Sequence, residues 1–291
     1  MLRTAYSTVA CPDWTLEQAA RAAAEFGFRG VELRSAGDGG AGAFACDPAF
    51  TDPRKVRSIF DEAGVDISGI ASGVRFDAPV FPPVLGHVFA ARHASVSEAK
   101  RMIDLAAKCG AGFVRVFAYQ IPGAPAPLVP GDTRWSALRR ICARLADVCD
   151  HARNRDVRIQ IENGGDFASF IDLTKIMDLV ASPLLTACYD LSAGTAAGDK
   201  PADAVSALGT RISAVRVRDE RGGVPCRLGQ GEAPVKALID ALNGAGSDAW
   251  VTYSWDRAWL PELLGAEQVL PEAARRLNEW CGSSVSSVIA A

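Results

Sequence analysis

The chain has 291 residues, of which 49% are hydrophobic and 22% are charged, so it is long enough to form one large domain with a sizeable core. Its net charge of -3 at pH 7 gives neither the basic surface of a nucleic-acid-binding protein nor an acidic tail. No apolar run approaches the roughly 18 residues of a membrane-spanning helix, and the opening M-L-R-T-A-Y-S-T-V-A lacks the long apolar core of a signal peptide.

The cysteines and histidines are placed as in a reduced cytoplasmic protein. Eight cysteines are scattered without a C-x-x-C pair. Four of them lie in apolar segments that we expect to be buried: Cys109, Cys142, Cys149 and Cys188. Three histidines have no metal-ligand spacing: His87, His93 and His151. We therefore expect a cytoplasmic protein with reduced cysteines.

Strand-like and helical segments alternate along the chain. Short apolar or alternating runs predict strands at about 3–9, 27–34, 65–71, 112–118, 157–162, 184–190, 212–219 and 250–255. Helical periodicity fills most of the intervals between them. One helix ends at Gly27, another ends at Gly110, and a third begins after the capping residue Asp132. The last residues, 282–291, are expected to form a frayed C-terminal tail.

Eight strand–helix units in one domain-sized chain predict a single (β/α)8 barrel over residues 1–281. A doubly wound open sheet is the alternative, but no glycine-rich phosphate turn follows the first strand. Long segments rich in glycine and proline follow strands two, three and four, at 35–48, 74–86 and 120–132. At the active-site end of a barrel these segments could form lids or be tolerated insertions.

The seventh predicted strand, I-S-A-V-R-V-R-D, raises the question of where Arg216 points. Alternation puts Val215 and Val217 on one face, which suits the side covered by helices. Arg216 then points into the barrel near the end of its strand, where inward residues form the floor of the active site. A buried arginine requires anionic partners, and we expect carboxylates at the same level.

Two carboxylates end consecutive predicted strands. Glu162 ends V-R-I-Q-I-E and Asp190 ends L-L-T-A-C-Y-D. Either could be a helix cap or a surface residue, but two on neighbouring barrel strands favour a site. Glu32 also ends a strand, and for this residue a structural pairing with a neighbouring arginine is as strong an interpretation as catalysis.

Arginines and aromatic residues complete the candidate site. Four arginines lie near predicted strand ends: Arg34, Arg115, Arg216 and Arg218. Each alone would ordinarily pair with a neighbouring acid, but together they favour an anionic substrate, a carboxylate or a phosphate. Five aromatic residues could line an apolar wall: Trp14, Phe117, Tyr119, Trp255 and Trp259. For Phe117 a place in the barrel core is the preferred interpretation.

Several motifs in order carry a family resemblance. W-T-L-E-Q-A-A-R-A-A-A-E-F-G-F-R-G-V-E-L-R looks like a first helix and second strand, and L-A-A-K-C-G-A-G-F-V-R-V-F looks like a third helix and fourth strand. I-Q-I-E-N-G-G-D-F, C-Y-D-L-S-A-G, A-V-R-V-R-D with L-G-Q-G-E, and Y-S-W-D-R-A-W look like strands five to eight. Over nearly its whole length the chain resembles the xylose isomerase-like TIM barrels. That group comprises sugar isomerases and epimerases and also includes endonuclease IV-like proteins.

The resemblance implies a metal site, and the chain departs from it. The usual ligands are Glu, Asp, His and Glu from strands five to eight. Carried over by position, they fall on Glu162, Asp190, Arg216 and Ser254. A guanidinium has no lone pair for a cation and does not deprotonate. We therefore expect the usual divalent site to be lost, with Arg216 in place of the metal's charge and paired with Glu162 and Asp190.

Three neighbouring positions of the family pattern also differ. The histidine often found two residues after the glutamate is Gly164, and the one often found three residues after the aspartate is Ala193. The lysine that usually follows the histidine of strand seven is Arg218.

The family's isomerases and epimerases move a proton next to a carbonyl, with carboxylates as shuttles. Without a metal, inward arginines could stabilise an enolate. A carboxylate held by arginine has a lowered pKa and is a weak base, so an acidic C–H bond or a good leaving group would suit it. Three functions stay open: a metal-free isomerase, epimerase or lyase such as a dehydratase; a metal-dependent isomerase using Asp219, Asp256 or a loop residue; and an inactive barrel that binds a ligand. An endonuclease is disfavoured because it needs many His and acidic ligands and basic loops.

The sequence thus predicts an enzyme for a small, anionic polyhydroxy or keto substrate. The expected catalytic residues are Glu162, Asp190 and Arg216. The expected substrate-binding residues are Arg34, Arg115, Arg218, Ser254, Trp255 and Trp14. No cofactor is expected, with Mn, Zn or Mg as the alternative. Neither nucleic acid nor membrane is an expected partner, and the chain could form a homo-oligomer.

Overall fold

The structure is a computed structural model that describes residues 1–36, 44–77, 91–119 and 134–282, with the backbone alone for 91–93. Parts of the sequence predictions fall outside these ranges. They are the candidate lid segments at 37–43, 78–86 and 120–132, the Asp132 cap, and tail residues 283–291.

Within the described residues, eight parallel strands close into a barrel. They are β1 (Arg3–Ser7), β2 (Gly30–Arg34), β3 (Asp66–Arg75), β4 (Phe113–Phe117), β5 (Arg158–Glu162), β6 (Leu185–Asp190), β7 (Ile212–Val217) and β10 (Trp250–Tyr253). The order around the barrel is β1-β10-β7-β6-β5-β4-β3-β2, with β1 paired to β2. The (β/α)8 barrel predicted from the sequence is confirmed.

Helices cover the outside of the barrel. They are α1 (Leu16–Phe26), α2 (Pro53–Ala63), α3 (Ala91–Cys109), α4 (Arg134–Ala152), α5 (Phe170–Val180), α6 (Leu191–Ala196), α7 (Pro201–Leu208), α8 (Val235–Gly244) and α9 (Ala266–Trp280). Local sequence explains several of their ends. Thr15 and Gln18 form a capping box at the start of α1, and Gly27 ends that helix with a φ of 85°.

The interior of the barrel changes from apolar to charged along the strands. Toward the N-terminal ends, small and aromatic side chains form one cluster: Ala5, Phe113, Cys188, Ala214 and Trp250. At the C-terminal ends, buried acids and arginines replace them, including Glu32, Arg115, Glu162 and Arg216. Strand register contributes to this arrangement, because Asp190 pairs with Arg216 across neighbouring strands. The buried charged residues therefore lie at the end of the barrel where the active sites of TIM-barrel enzymes are found.

A short antiparallel hairpin that the sequence analysis did not predict follows β7. It consists of β8 (Asp219–Arg221) and β9 (Val224–Cys226), joined by two glycines in the left-handed region, Gly222 and Gly223. Both central turn residues with positive φ are typical of a type I′ hairpin.

Two further expectations from the sequence concern the cysteines and the absence of a membrane-spanning helix. All eight cysteines are free thiols. Among the helices that the structure describes, none is long and apolar enough to cross a membrane.

Candidate functional site

A cavity of about 720 Å³ opens at the C-terminal end of the barrel. Its walls bring together most of the charged residues singled out from the sequence. It is lined by Val9, Arg34, Arg115, Phe117, Tyr119, Glu162, Gly164, Gly165, Asp190, Ala193, Arg216, Arg218, Asp256 and Trp259. A concave site with convergent polar groups is the usual form of a small-molecule site.

Arg216 points into the barrel and is buried, as the strand pattern predicted. Its Nε lies 3.7 Å from Glu162 Oε2 and 3.8 Å from Asp190 Oδ2. Its closer partners are different: Nη1 donates to Glu32 Oε2 at 3.1 Å, and Nη2 donates to Ser254 Oγ at 2.6 Å. The expected pairing with Glu162 and Asp190 is therefore a looser ion pair, and the hydrogen bonds go elsewhere.

Glu32 is the acid that the sequence analysis left between structure and catalysis, and it lies at the centre of the buried network. It accepts from Arg115 Nε at 2.8 Å and from Arg115 Nη2 at 3.3 Å, besides the bond from Arg216. Burial alone would raise the pKa of Glu32, but Arg115 and Arg216 outweigh it and lower the pKa to about 2. Glu32 therefore remains an anion that holds two arginines.

The acids in turn raise the pKa values of Arg216 and Arg115 and so keep both arginines protonated. Burial acts to lower the pKa of Arg216, but Glu162, Glu32 and Asp190 outweigh burial and raise it. The pKa of Arg115 is raised in the same way, against burial and repulsion from Arg216, by Glu162 and Glu32. Both guanidinium groups are permanent cations in the floor of the cavity.

Asp190 combines a structural and a site position. Its Oδ1 accepts from the backbone N–H of Ala193 at 2.9 Å and so caps α6. Its Oδ2 faces Arg218 Nη1 at 3.3 Å. The side-chain oxygen of Asn163 accepts from the Asp190 backbone N–H at 2.6 Å, which fixes the end of β6 against the end of β5.

Tyr119 gives the site a hydrogen bond that the sequence analysis missed. Its hydroxyl donates to Glu162 Oε1 at 3.1 Å, whereas the sequence assigned it only to an apolar wall. Burial, followed by the charges of Glu162 and Asp190, raises the pKa of the phenol, so it stays a donor. A Cβ at Gly164 would lie 2.5 Å from the Tyr119 ring. The family often has a histidine where this chain has Gly164. That glycine is the sequence signal that could have predicted an aromatic ring packed against this position.

Three of the expected substrate-binding residues lie away from the cavity. Ser254 is fully buried, and its hydroxyl is engaged by Arg216 and donates to Asp256 Oδ1 at 3.2 Å. Trp255 is packed in the core, where its indole N–H donates to the Leu264 carbonyl at 2.8 Å. Trp14 packs against the core as well. None of the three lines the cavity formed by the described residues. The tryptophan that lines it is Trp259.

Arg34, Arg115 and Arg218 do line the cavity, together with Phe117, for which a place in the core had been preferred. Arg218 is 30% exposed and its Nη1 lies 3.8 Å from Asp256 Oδ2. Phe117 is buried and meets the Tyr119 ring edge-on at a centroid distance of 5.2 Å. Phe117 is therefore both buried in the barrel and part of the cavity wall.

The donor set does not suit a divalent cation between strands five and eight. The guanidinium of Arg216 lies within 4 Å of both Glu162 and Asp190 and also bonds to Ser254. Among the described residues there is no group of three or more His, Cys, Asp or Glu that could hold a metal ion. A fixed cation at this place repels a second one.

Asp219, considered as a replacement ligand, is committed to its own loop. Its two carboxylate oxygens accept from the backbone N–H groups of Glu220, Gly229, Gly231 and Ala233, at 2.8–3.1 Å. It thereby holds the L-G-Q-G-E segment beside the barrel mouth. Asp256, the other alternative, bonds to Ser254 and faces Arg218.

This architecture is shared with one protein-family model and with solved structures of the same fold. A family model described as the xylose isomerase-like TIM barrel matches residues 20–280. No curated protein sequence gives a significant match.

Solved structures of similar fold cover nearly the whole chain. A D-allulose 3-epimerase from Methylomonas sp. is 16% identical over 96% of this chain and 98% of its own, with a TM-score of 0.74. The probable 3-DHS dehydratase AsbF from Bacillus anthracis is 13% identical over 95% and 99%, with a TM-score of 0.73. The IolI protein, whose structure contains a zinc atom, is 14% identical over 98% and 100%, with a TM-score of 0.75. At these identities the similarity establishes the fold.

Proposed function

Because this chain belongs to the family of xylose isomerase-like TIM barrels, we propose that it is an enzyme of the sugar isomerase or epimerase type. It moves a proton next to a carbonyl group of a small polyhydroxy or keto substrate, and it does so without the family's usual divalent metal. The described barrel mouth offers acids and fixed cations for this reaction and a poor donor set for a metal.

The observation that carries the proposal is the arrangement of two carboxylates around one buried guanidinium. Glu162 and Asp190 end neighbouring strands, line the same cavity, and both lie within 4 Å of Arg216 Nε. This Nε is buried and makes no hydrogen bond to any described residue. A cationic hydrogen-bond donor held between two carboxylates at the floor of a cavity suits a reaction in which negative charge develops on a substrate oxygen.

Each group then has a role in proton transfer. Glu162 takes the proton from the carbon next to the carbonyl, while the hydroxyl of Tyr119 keeps its carboxylate oriented. Arg216 and Arg218 stabilise the enolate oxygen that forms. Asp190, paired with Arg218 at 3.3 Å, takes up a proton from water and delivers it to the intermediate, while the proton on Glu162 passes to water. Return to the same carbon from the other face gives an epimer, and return to the neighbouring carbon gives an isomer.

A lyase that removes water is the second candidate, and the arginine pairing favours it. The arginines beside Glu162 and Asp190 stabilise negative charge in the cavity, which suits a substrate whose C–H bond is already acidic and whose hydroxyl leaves readily. The probable dehydratase AsbF has the same fold, which makes this chemistry compatible with the barrel.

Incubation of the purified protein with sugars, keto sugars and sugar acids in D2O tests the proposal, with products followed by NMR. An isomerase or epimerase incorporates deuterium at the carbon next to the carbonyl and forms an isomer of equal mass apart from the label. A lyase of the dehydratase type forms a product that has lost one water molecule from the substrate. The reaction is expected to persist in EDTA and to be lost in Glu162→Gln. Absence of both label and product across the panel would favour a barrel that only binds its ligand.

A further inference from the structure

Arg34 differs from the other three arginines of the cavity because no acid of the described residues pairs with it. Arg115, Arg216 and Arg218 each have a carboxylate within 3.3 Å. Within the described part of the chain no carboxylate lies within 4 Å of Arg34. Its Nη1 instead donates to two backbone carbonyls of β3, Ser72 O at 2.6 Å and Ala71 O at 3.3 Å.

The unused side of Arg34 is a side through which a guanidinium can bind a carboxylate. The Nε and Nη2 atoms of a guanidinium form a planar edge whose two N–H groups match the two oxygens of a carboxylate. Arg115 uses this edge on Glu32, through Nε at 2.8 Å and Nη2 at 3.3 Å. In Arg34 the same edge donates to none of the described residues, and Nε is buried without a partner.

The surroundings of Arg34 make an unpaired charge at this position unfavourable. The residue is only 8% exposed. Burial, followed by repulsion from Arg115, lowers its pKa to about 10. The ring of Trp259 lies 5.9 Å from its guanidinium carbon, and this ring is itself packed edge-on against Phe44. A buried cation with a free planar edge and an aromatic neighbour is stabilised by an anion.

We propose that Arg34 binds a carboxylate group of the substrate through its Nε–Nη2 edge, so that the substrate class is a sugar acid. The assignment rests on the proposed function for the other end of the cavity. Around the barrel, β2 and β6 are four strands apart in both directions, so Arg34 faces Asp190 across the mouth. A molecule that reaches from one to the other has several carbons between its carboxylate and its reacting centre.

A carboxylate fits better than a phosphate ester. The free edge of Arg34 supplies two parallel donors, which is what one planar carboxylate needs. A phosphate dianion would bring two charges into a cavity whose other arginines are already engaged by acids, and Glu32 and Glu162 both act on Arg34 electrostatically. A monoanion meets less repulsion from these carboxylates.

Binding measurements with defined probes test the assignment without any need for turnover. The probes are the sodium salts of gluconate, galactonate, glucuronate and galacturonate, with glucose and galactose as neutral counterparts and their 6-phosphates as a third group. Calorimetry and thermal shift are run on the unmodified protein and on Arg34→Gln, Arg34→Lys and Arg257→Gln. Arg257 is the matched control, since it pairs with Asp13 at 2.7 Å outside the cavity.

At least one sugar acid is expected to bind the unmodified protein and Arg257→Gln equally. Arg34→Gln is expected to weaken this binding roughly ten- to hundredfold, the usual effect of losing a charged hydrogen-bonding partner. Arg34→Lys keeps the charge without the planar edge and is expected to lie between them, which keeps the test usable if Arg34→Gln does not fold. Equal binding by Arg34→Gln, no binding of any sugar acid, or tighter Arg34-dependent binding of the 6-phosphates would overturn the assignment.

The two proposals fail in different ways. Glu162→Gln is expected to bind the sugar acid as well as the unmodified protein does while losing turnover. Arg34-dependent binding without any turnover would reject the proposed reaction and leave the carboxylate site standing. Turnover of neutral sugars that is unchanged in Arg34→Gln would reject the carboxylate site alone.

Discussion

Arg216 and Glu32 lie on strands that are three places apart around the barrel, and their side chains meet at 3.1 Å because both point into the interior. In this barrel a positive charge is built into the protein at the level where the family resemblance places a metal. Three carboxylates depend on that charge, so the acids of the mouth are parts of one network. Changes at single residues therefore affect both stability and reactivity.

The pH dependence of stability should report on Glu32. Its folded pKa of about 2 lies below the ordinary value of 4.5, so its stabilising contribution is fully present above about pH 4.5 and is lost as the pH falls toward 2. The difference corresponds to roughly 3 kcal/mol at neutral pH. Urea unfolding of the unmodified protein and of Glu32→Gln should therefore give a gap of that order at pH 7 that narrows between pH 4.5 and 2.5. A gap that is constant or widens on acidification would contradict the ion-pair assignment.

Replacement of Glu162 by glutamine should abolish turnover and leave the fold intact. The amide keeps the shape of the side chain, and Arg115, which donates to both Glu162 and Glu32, keeps Glu32 as a partner, but the base is gone. General acid–base catalysis typically contributes about 10²- to 10⁴-fold, which sets the expected fall in kcat. Glu279→Gln is the matched control, since Glu279 pairs with Arg275 on the exposed side of α9. Full activity in Glu162→Gln would move the role of base to Asp190 or end the proton-transfer hypothesis.

At the scale of elements, the turn after β5 shapes the site as much as the strand does. Gly164 has a φ of 159°, at the edge of the positive range that residues with a side chain rarely adopt. The backbone conformation and the contact with Tyr119 therefore both disfavour a larger residue there. The turn and the end of β4 act together, because one supplies the space and the other supplies the phenol that bonds to Glu162.

Gly164→Ala should lower kcat by displacing the Tyr119 ring. A Cβ would lie 2.5 Å from two ring atoms, so the ring must move and its hydrogen bond to Glu162 is lost, which is worth about tenfold in rate. Gly112→Ala is the control, because a Cβ there meets nothing within 4 Å. Tyr119→Phe should give a similar loss, and the double variant should be no worse than either single one. Additive losses would mean that the two residues act separately.

The sequence predicted the elements better than their contacts. Each of the eight barrel strands was predicted within a few residues of its position, because buried parallel strands leave short apolar runs between helices. The hairpin after β7 was missed, since its two strands have three residues each and too little pattern, although the pair Gly222–Gly223 is itself a hairpin signal. The bond from Arg216 to Glu32 was missed because it joins residues 184 apart, and only closure of the barrel brings them together.

At the scale of the whole molecule, the site exists only as a product of the closed barrel. Glu32, Arg115, Glu162, Asp190 and Arg216 come from five strands, and the family motifs could predict strand ends but not the reach of long side chains across the interior. For that reason the sequence identified the charged residues of the mouth, whereas Trp255 and Trp14, which were also expected there, lie away from the cavity that the described residues form. Alternation along a strand does not say where the core stops and the cavity begins.

The same closure leads to a prediction about metal binding. The positions of the family's four ligands are Glu162, Asp190, Arg216 and Ser254, on β5, β6, β7 and just after β10. Two of them ligate poorly or not at all, since a neutral serine is a weak ligand and a guanidinium is none. A guanidinium about 4 Å from a divalent ion opposes it by several kcal/mol even at an intermediate effective dielectric. The unmodified protein should therefore carry no stoichiometric divalent metal at the mouth, and chelators should not impair its activity.

The double variant Arg216→His with Ser254→Glu should restore a four-ligand site for manganese or zinc. It removes the fixed cation and supplies an imidazole and a third carboxylate in the arrangement that the resemblance implies. Because the ligands meet only in the folded barrel, metal should stabilise the variant, by about 2.7 kcal/mol when free metal is a hundredfold above its Kd. Thermal unfolding of the variant should shift upward with metal concentration, whereas that of Arg216→His alone should shift less and that of the unmodified protein should not shift. Elemental analysis that finds about one tightly held metal per unmodified chain, with density between Glu162 and Asp190, would refute the argument that Arg216 replaces the metal.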